Sequence, residues 1–490
     1  MNSLRLRVAE VQLLERQIPF RVPFRFGAVV TTQSPQAYVR VRIELDDGRG
    51  AWGCASQLLG AKWFDKNPAR SAEQNYADLR EAVALTASAY LGESSAQTAY
   101  GLHAAHYHAL YDQGRAASLK PLVTAYGPAL LDIGIADALF RCLEVDAYRG
   151  LALNLPGIAP ELLLPEFTRV DFSAFLGRLV PAGSIQVRHT VGLADPLRRT
   201  DLATGNRVSD GLPETLEEVI EQEGPRFFKI KLSGDADSDL RRLHSLAPLL
   251  DAASPGYAAT MDGNEQFASA QHFADFWGKC TEAPALDNLL ASTLFVEQPI
   301  ARDSAMKHRV DAIAGVTPVI IDESDDTLDA FPQARAMGYQ GVSSKSCKGL
   351  YKSLINRARC ELWTQEPAGG PYIMSGEDLT TQPGVSLQQD LALANALGLA
   401  HIERNGHHYV DGMVASPAAE CARFVQAHPD LYIEAKGSAR LRIARGQLSL
   451  RSLACHGFGV NTQPDWDSMA MKHVWSRSRG YPVTQDRSTR

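Results

Sequence analysis

Five short apolar segments, each running into charged residues and then a polar turn, constrain this chain more than anything else in it. They are Phe227-Phe228-Lys229-Ile230-Lys231, Thr260-Met261-Asp262-Gly263-Asn264, Leu294-Phe295-Val296-Glu297, Val319-Ile320-Ile321-Asp322-Glu323 and Val342-Ser343-Ser344-Lys345. Lys231, Asp262, Glu297, Asp322 and Lys345 follow one another at intervals of 31, 35, 25 and 23 residues. A barrel of eight strand-plus-helix units uses roughly 30 residues per unit and keeps its active site at the C-terminal ends of its strands. The spacing therefore predicts one charge per unit, all at one mouth.

The rest of the chain has the rhythm that such a barrel needs. Strands are expected at Ile185–Val191, Arg226–Leu232, Tyr257–Asp262, Leu294–Glu297, Pro318–Asp322, Gly341–Lys345, Pro371–Ser375 and His401–Arg404. Helical patterns fall between them, among them Pro213–Glu223, Asp237–Ala252 and Ala305–Ala314. Alternation of this kind implies a parallel sheet closed on itself. Upstream, Val8–Ile18 and Ala37–Leu45 alternate like half-buried antiparallel strands joined to Ala51-Trp52-Gly53 by the turn Asp46–Gly50. Ala69–Leu91 and Ala129–Leu143 repeat apolar residues at helical spacing. The expected fold is α/β: a (β/α)8-type barrel over 184–412, with an α+β capping domain over 1–150. Residues 151–183 read as a linker or insertion, and 413–490 as a return to the cap with an Arg/Ser-rich, mobile tail.

With 490 residues, one large and one smaller domain fit the length. A net charge of −7 without a basic block argues against a nucleic-acid surface. The 7 cysteines are scattered and lack a C-x-x-C pair, which suits a reducing compartment better than a disulfide framework. Neither a secretory leader nor an uninterrupted membrane-length apolar run is evident, so a cytoplasmic, soluble protein is expected. Its expected partners are a small-molecule carboxylate and further copies of the same chain, with no nucleic acid and no membrane.

Asp262, Glu297 and Asp322 would meet at the mouth as three hard oxygen ligands, a set suited to Mg2+, with Mn2+ as the alternative ion. Lys229 and Lys231 are two apart on one strand and so share a face. A free lysine has a pKa of about 10.4, too high for a base at neutral pH. A neighbouring ammonium and a metal would lower it. Lys231 is thus the expected base, Lys229 its electrostatic tuner, and Lys345 the second catalyst across the barrel. Lys348 reads as solvated or structural. Substrate contacts are expected from Asn264, Phe24, Lys62 and Trp63, and from Glu377 and Asp378 toward a cationic group; the last two read equally well as cap or hydrogen-bonding residues. His401, His407 and His408 read as structural or solvated. The Pro-Phe-rich stretch Pro19–Gly27, with Arg21 and Arg25, could cover an anionic ligand or pack on its own sheet.

Lys229-x-Lys231, Asp262-x-Asn264, Glu297-Gln-Pro, Asp322-Glu-Ser and Lys345-x-x-Lys348-Gly together resemble the enolase superfamily, in particular the muconate lactonizing enzyme branch of the mandelate racemase/muconate lactonizing enzyme-like proteins. The early Pro-Phe segment, Asp47-Gly48, Trp52-Gly53 and Asp132–Leu139 are similar to that family's cap. The resemblance implies Mg2+ on Asp262, Glu297 and Asp322, and acid/base roles for Lys231 and Lys345. It implies abstraction of the proton α to a carboxylate through a metal-stabilised enolate, leading to racemisation, epimerisation or cycloisomerisation. Syn elimination of the o-succinylbenzoate synthase kind is the alternative, and a non-catalytic carboxylate-binding barrel is the alternative of another class. Departures are the extra residues around 65–125 and 152–184, the Ser343-Ser344 pair, and a seventh strand ending Ser375-Gly376-Glu377-Asp378 without a histidine. The last counts against a His–Asp pair of the mandelate racemase type.

Overall fold

A computed structural model describes residues 4–477 except 27–28, 203–204, 206, 254–255 and 368–369. The chain opens with an antiparallel meander of β1 (Leu6–Phe26), β2 (Val29–Leu45) and β3 (Gly50–Leu58). Helices Ala72–Gly92, Ala99–Ala116 and Pro121–Cys142 follow. The first is fixed at its start by a capping box between Ser71 and Gln74. The third is long and apolar enough to cross a membrane by length and composition, but it is wholly buried between its neighbours. Gly53 on β3 is what lets that helix lie so close: a Cβ there would stand 2.2 Å from the carbonyl of Gly134.

The barrel comprises β4 (Ser184–Val191), β5 (Phe227–Lys231), β6 (Ala258–Asp262), β7 (Thr293–Glu297), β8 (Val319–Ile321), β9 (Gly341–Ser344), β10 (Ile373–Gly376) and β11 (His401–Arg404). All pair in parallel in chain order, and β11 closes onto β4 from His401↔Gln186 to Arg404↔His189. These are the eight strands expected from the sequence. The helix expected at Ala305–Ala314 is instead two single turns, Arg302–Ala305 and Asp311–Ala314.

Beyond the barrel come a hairpin of β12 (Tyr432–Ala435) and β13 (Ser438–Leu441), then β14 (Gln447–Ser449) and β15 (Ala470–Ser476). β14 pairs antiparallel with the start of β4, and β15 pairs antiparallel with the free edge of β1. The return to the cap is secured by the fully buried Asp137. It accepts backbone N–H groups from Cys54 at 2.9 Å and Phe458 at 2.7 Å and pairs with Arg141. Residues 151–183 do not behave as a bare linker: Leu151, Phe167, Phe172 and Phe175 pack into the same apolar core as the cap helices. The Arg/Ser-rich tail from 478 lies outside the described residues.

Candidate active site at the barrel mouth

Strand register places the first acids. Lys231 is level with Asp262, and Asp262 with Glu297. Between β7 and β8 the register steps: Glu297 is level with Ile320, so Asp322 lies two residues further along its strand, about 6.6 Å. Gln298, fully buried and at φ 34°, holds that strand end in place. Its Oε1 accepts the Asp322 N–H at 2.8 Å, and its Nε2 donates to Ser324 Oγ at 2.8 Å.

Lys229 is buried in the middle of the cluster. Its Nζ lies 3.0 Å from Asp262, 2.7 Å from Glu297, 2.6 Å from Glu377 and 3.0 Å from Glu403. Burial opposes its charge, but these four carboxylates outweigh burial and hold the ammonium well above its ordinary pKa. Lys229, expected as the electrostatic tuner of Lys231, is thus committed to the acids around it. Lys231, 21% exposed, turns to Asp262 at 2.6 Å.

Across the barrel, Lys345 donates to Asp322 at 2.6 Å, and its Nζ lies 4.4 Å from the centre of the Trp63 ring. Burial again opposes the charge and Asp322 outweighs it, so this pKa is raised rather than lowered. Asp322 is held well below the usual carboxylate range: Lys345, Lys348 and Lys229 overcome its burial. Ser343 also donates to Asp322, and Lys348, itself buried, donates to Ser343 at 2.7 Å and pairs with Asp325 at 3.1 Å. The serines that depart from an apolar strand thus serve the third acid, and Lys348 is structural rather than solvated.

Several expected substrate contacts are committed elsewhere. Glu377 is locked below the mouth by Arg188, Ser375 and Lys229. Asp378 accepts backbone N–H groups from Thr381, Asn405 and Gly406 and pairs with Arg404, which makes it the clasp of the surrounding loops. Lys62 turns away to the carbonyls of Asn67 and Arg70. Asn264, at φ 44°, donates its backbone N–H to Asp262 and accepts Lys66 on its carbonyl. Phe24 pairs with Thr31 in the hairpin; its side chain lies outside the described residues. Arg21 docks that hairpin on Asp210 and the carbonyl of His408, which occupies it without a ligand.

Reading the sequence missed the floor and one wall. Arg188 and Thr190 face inward from β4, Arg188 to Glu377 and Thr190 to Glu403 at 2.6 Å. On the wall, the Glu323 carboxyl is buried with no hydrogen-bond partner. Burial and the charges of Asp322 and Glu265 push it up to about 7. Glu265 is paired by Arg302 and by Lys66 of the cap, and Arg302 also donates to the carbonyls of Trp63 and Phe64. Alternation on β4 and the acid pair Asp322-Glu323 were the available signals.

As donors, Asp262, Glu297 and Asp322 fit a hard divalent cation: all are oxygen ligands from successive strand ends, and Glu297 Oε2 is a buried acceptor without an aligned donor. Lys229 contacts that oxygen, but at an angle that makes an ion pair and no hydrogen bond. Burial and the charges of Asp262 and Glu377 raise the Glu297 pKa well above normal. Among the described residues the three carboxylates do not all draw within 4.8 Å of one another; ammonium groups lie against them instead.

The fold is similar to that of solved structures described as enolase superfamily members, one of them from Roseovarius nubinhibens ISM at 15% identity and a TM-score of 0.56, covering 96% of this chain and 100% of that one. The similar solved structures include members of the mandelate racemase/muconate lactonizing enzyme group. A muconate lactonizing enzyme from Mucobacterium smegmatis complexed with muconolactone is 18% identical with a TM-score of 0.58, the match covering 94% of this chain and 98% of that one. For 2-chloromuconate cycloisomerase from Rhodococcus opacus 1CP the values are 17%, 0.56, 98% and 100%. An enolase superfamily member from Roseovarius nubinhibens ISM complexed with magnesium is 15% identical with a TM-score of 0.53, covering 96% and 100%. No family model and no curated protein matches the chain.

Proposed function

We propose that this protein is a Mg2+-dependent enzyme that removes the proton α to a substrate carboxylate. The observation that carries the reading is the opposition of Lys231 and Lys345. They stand at the ends of β5 and β9, Lys345 directly after the latter, four strands apart in a closed barrel of eight, with the strand-end acids of β6, β7 and β8 between them. Asp262, Glu297 and Asp322 would hold the cation, which when bound supplies Lewis-acid stabilisation of the enolate.

The chain's own residues supply the proton handling. Each lysine Nζ donates to one carboxylate of the set, Lys231 to Asp262 and Lys345 to Asp322, and so stands poised to hand on a proton. It turns into an acceptor as its carboxylate is engaged elsewhere. Lys229 stays charged under the acids and steadies the negative charge of the mouth. Trp63 covers Lys345 and keeps water from that side. Two amines on opposite faces suit return of the proton to the other face, as in racemisation or epimerisation. The likeness to proteins named as lactonizing and cycloisomerising enzymes favours cycloisomerisation as the second reading. β-Elimination uses the same abstraction.

The test is incubation with a library of carboxylic acids in D2O and Mg2+, read by mass spectrometry. An acid that gains deuterium at its α-carbon is expected, with exchange on one face lost in Lys231→Ala and on the other in Lys345→Ala. Binding of an acid without any exchange by the wild type would make the protein a carboxylate-binding barrel instead.

A further inference from the structure

Alternation along β4 sends Arg188 and Thr190 into the barrel and His189 out through its wall. There it meets Glu223, the last residue of helix Leu216–Glu223, and His407, in the helical turn Gly406–Tyr409 that follows β11. One donor atom from each of the three lies within 4.8 Å of the others. We infer that His189, Glu223 and His407 form a second metal site, of the zinc type, on the outer face of the barrel wall.

The donor set separates this site from the strand-end acids. Two imidazoles and one carboxylate are the ligands of a borderline transition metal, with a fourth position left to water, whereas Mg2+ prefers oxygen throughout. Glu223 and His407 keep 12% and 9% of their side chains exposed, which gives an ion and its water a way in. His189 is almost fully buried.

A plain His–carboxylate pair explains less. His407 Nε2 lies 3.4 Å from Glu223, but Nδ1 of His407 and Nδ1 of His189 are both buried without hydrogen-bond partners. Leaving such buried groups unsatisfied is costly. A third ring, His408, has its centre 5.8 Å from that of His189. Burial, then the neighbouring histidines, push His189 down to about 3, and burial and Arg21 push His408 down to about 4. His189 is therefore held as the uncharged imidazole, the form that ligates a metal.

The ion would join the first barrel helix to the loop after the eighth strand. That loop donates the Asn405 and Gly406 N–H groups to Asp378, and the carbonyl of His408 receives Arg21 from the cap hairpin. Its role is to fasten the mouth, independent of the chemistry proposed for the strand-end acids.

The full-length protein, stripped by a chelator and held in excess Mg2+ to occupy oxygen sites, is loaded with Zn2+, passed through gel filtration and assayed for metal. One bound zinc per chain is expected, retained in Asp322→Asn and lost in His189→Gln and His407→Asn. Zn2+ raises the unfolding midpoint of the wild type and leaves that of His407→Asn unmoved. Co2+ gives the visible absorption of a four- or five-coordinate nitrogen-ligated site, and this too disappears in His407→Asn. His407 is partly exposed, so this variant decides the matter if His189→Gln does not fold. Absence of zinc uptake by the wild type, or uptake that survives His407→Asn, overturns the assignment.

Discussion

Replacing Lys229 with methionine keeps the length and packing of the stem and removes one charge from the centre of four carboxylates. In the wild type this ammonium touches Asp262, Glu297, Glu377 and Glu403 within 3.0 Å. Breaking a buried ion pair from one side costs about 3–5 kcal/mol, a large part of the 5–15 kcal/mol that typically separates folded from unfolded chains. The loss should be electrostatic, and two conditions should reverse it. The orphaned acids acquire folded pKa values above their unfolded ones, so the folded variant binds extra protons. Its deficit then shrinks as the pH falls toward about 5 and grows as the pH rises. A divalent cation also finds the acids free of their internal competitor. At a hundredfold excess over its dissociation constant it returns about 2.7 kcal/mol, and it binds the variant more tightly than the wild type. The assay is urea unfolding of both proteins with chelator, at neutral and mildly acid pH, repeated across a Mg2+ titration. A deficit that is the same at every pH and Mg2+ concentration would show a packing defect and refute the electrostatic account.

Gly53→Ala should destabilise the cap by about 1–3 kcal/mol or more, since its Cβ meets backbone 2.2 Å away; an unchanged denaturation midpoint would refute that. His428 is fully buried, its Nε2 accepting the Asn461 N–H, and burial pushes it down to about 4 from an ordinary 6.5. The unfolded chain therefore takes up a proton that the folded one refuses. This histidine contributes roughly 3 kcal/mol that is present above pH 6.5 and lost as the pH falls to about 4; His428→Gln should flatten that acid limb in calorimetry. Trp63→Leu removes a cation–π contact worth about 0.5–2 kcal/mol and the cover over Lys345. Proton exchange on the Lys345 face should slow while the Lys231 face is spared, and equal slowing of both, seen by deuterium incorporation, would count against separate faces.

The barrel was legible because its strands are buried runs that end in charge, and few other arrangements produce that pattern at unit spacing. The cap was harder. Helix Pro121–Cys142 is buried on every side, so it carries no amphipathic stripe, and Pro128 within it reads as a breaker; only its second half, from Ala129, had been expected. At the site, residue type revealed which groups gather but not which pair. Ser375-Gly376-Glu377-Asp378 has the composition of any strand-to-loop turn. Only the fold sets Arg188 under Glu377, and the backbone of Asn405 and Gly406 against Asp378. The same holds for pKa: the sequence offers Lys229 as a tuner of Lys231 and Lys345 as a second catalyst, yet three-dimensional neighbours make Lys229 and Lys345 firmly charged ammonium groups. Glu323 was quoted in its motif but given no role, because its burial and the approach of Glu265 and Lys66 come only with the fold.

The pairing of β15 with β1 has a bearing on how the polypeptide is made. The ribosome releases the meander first, and one edge of its leading strand stays bare until residues 470–476 emerge. Throughout elongation an unsealed β-edge is open to mispairing with other nascent chains. Truncation before Ala470 should therefore yield aggregates even though every residue of the barrel is intact.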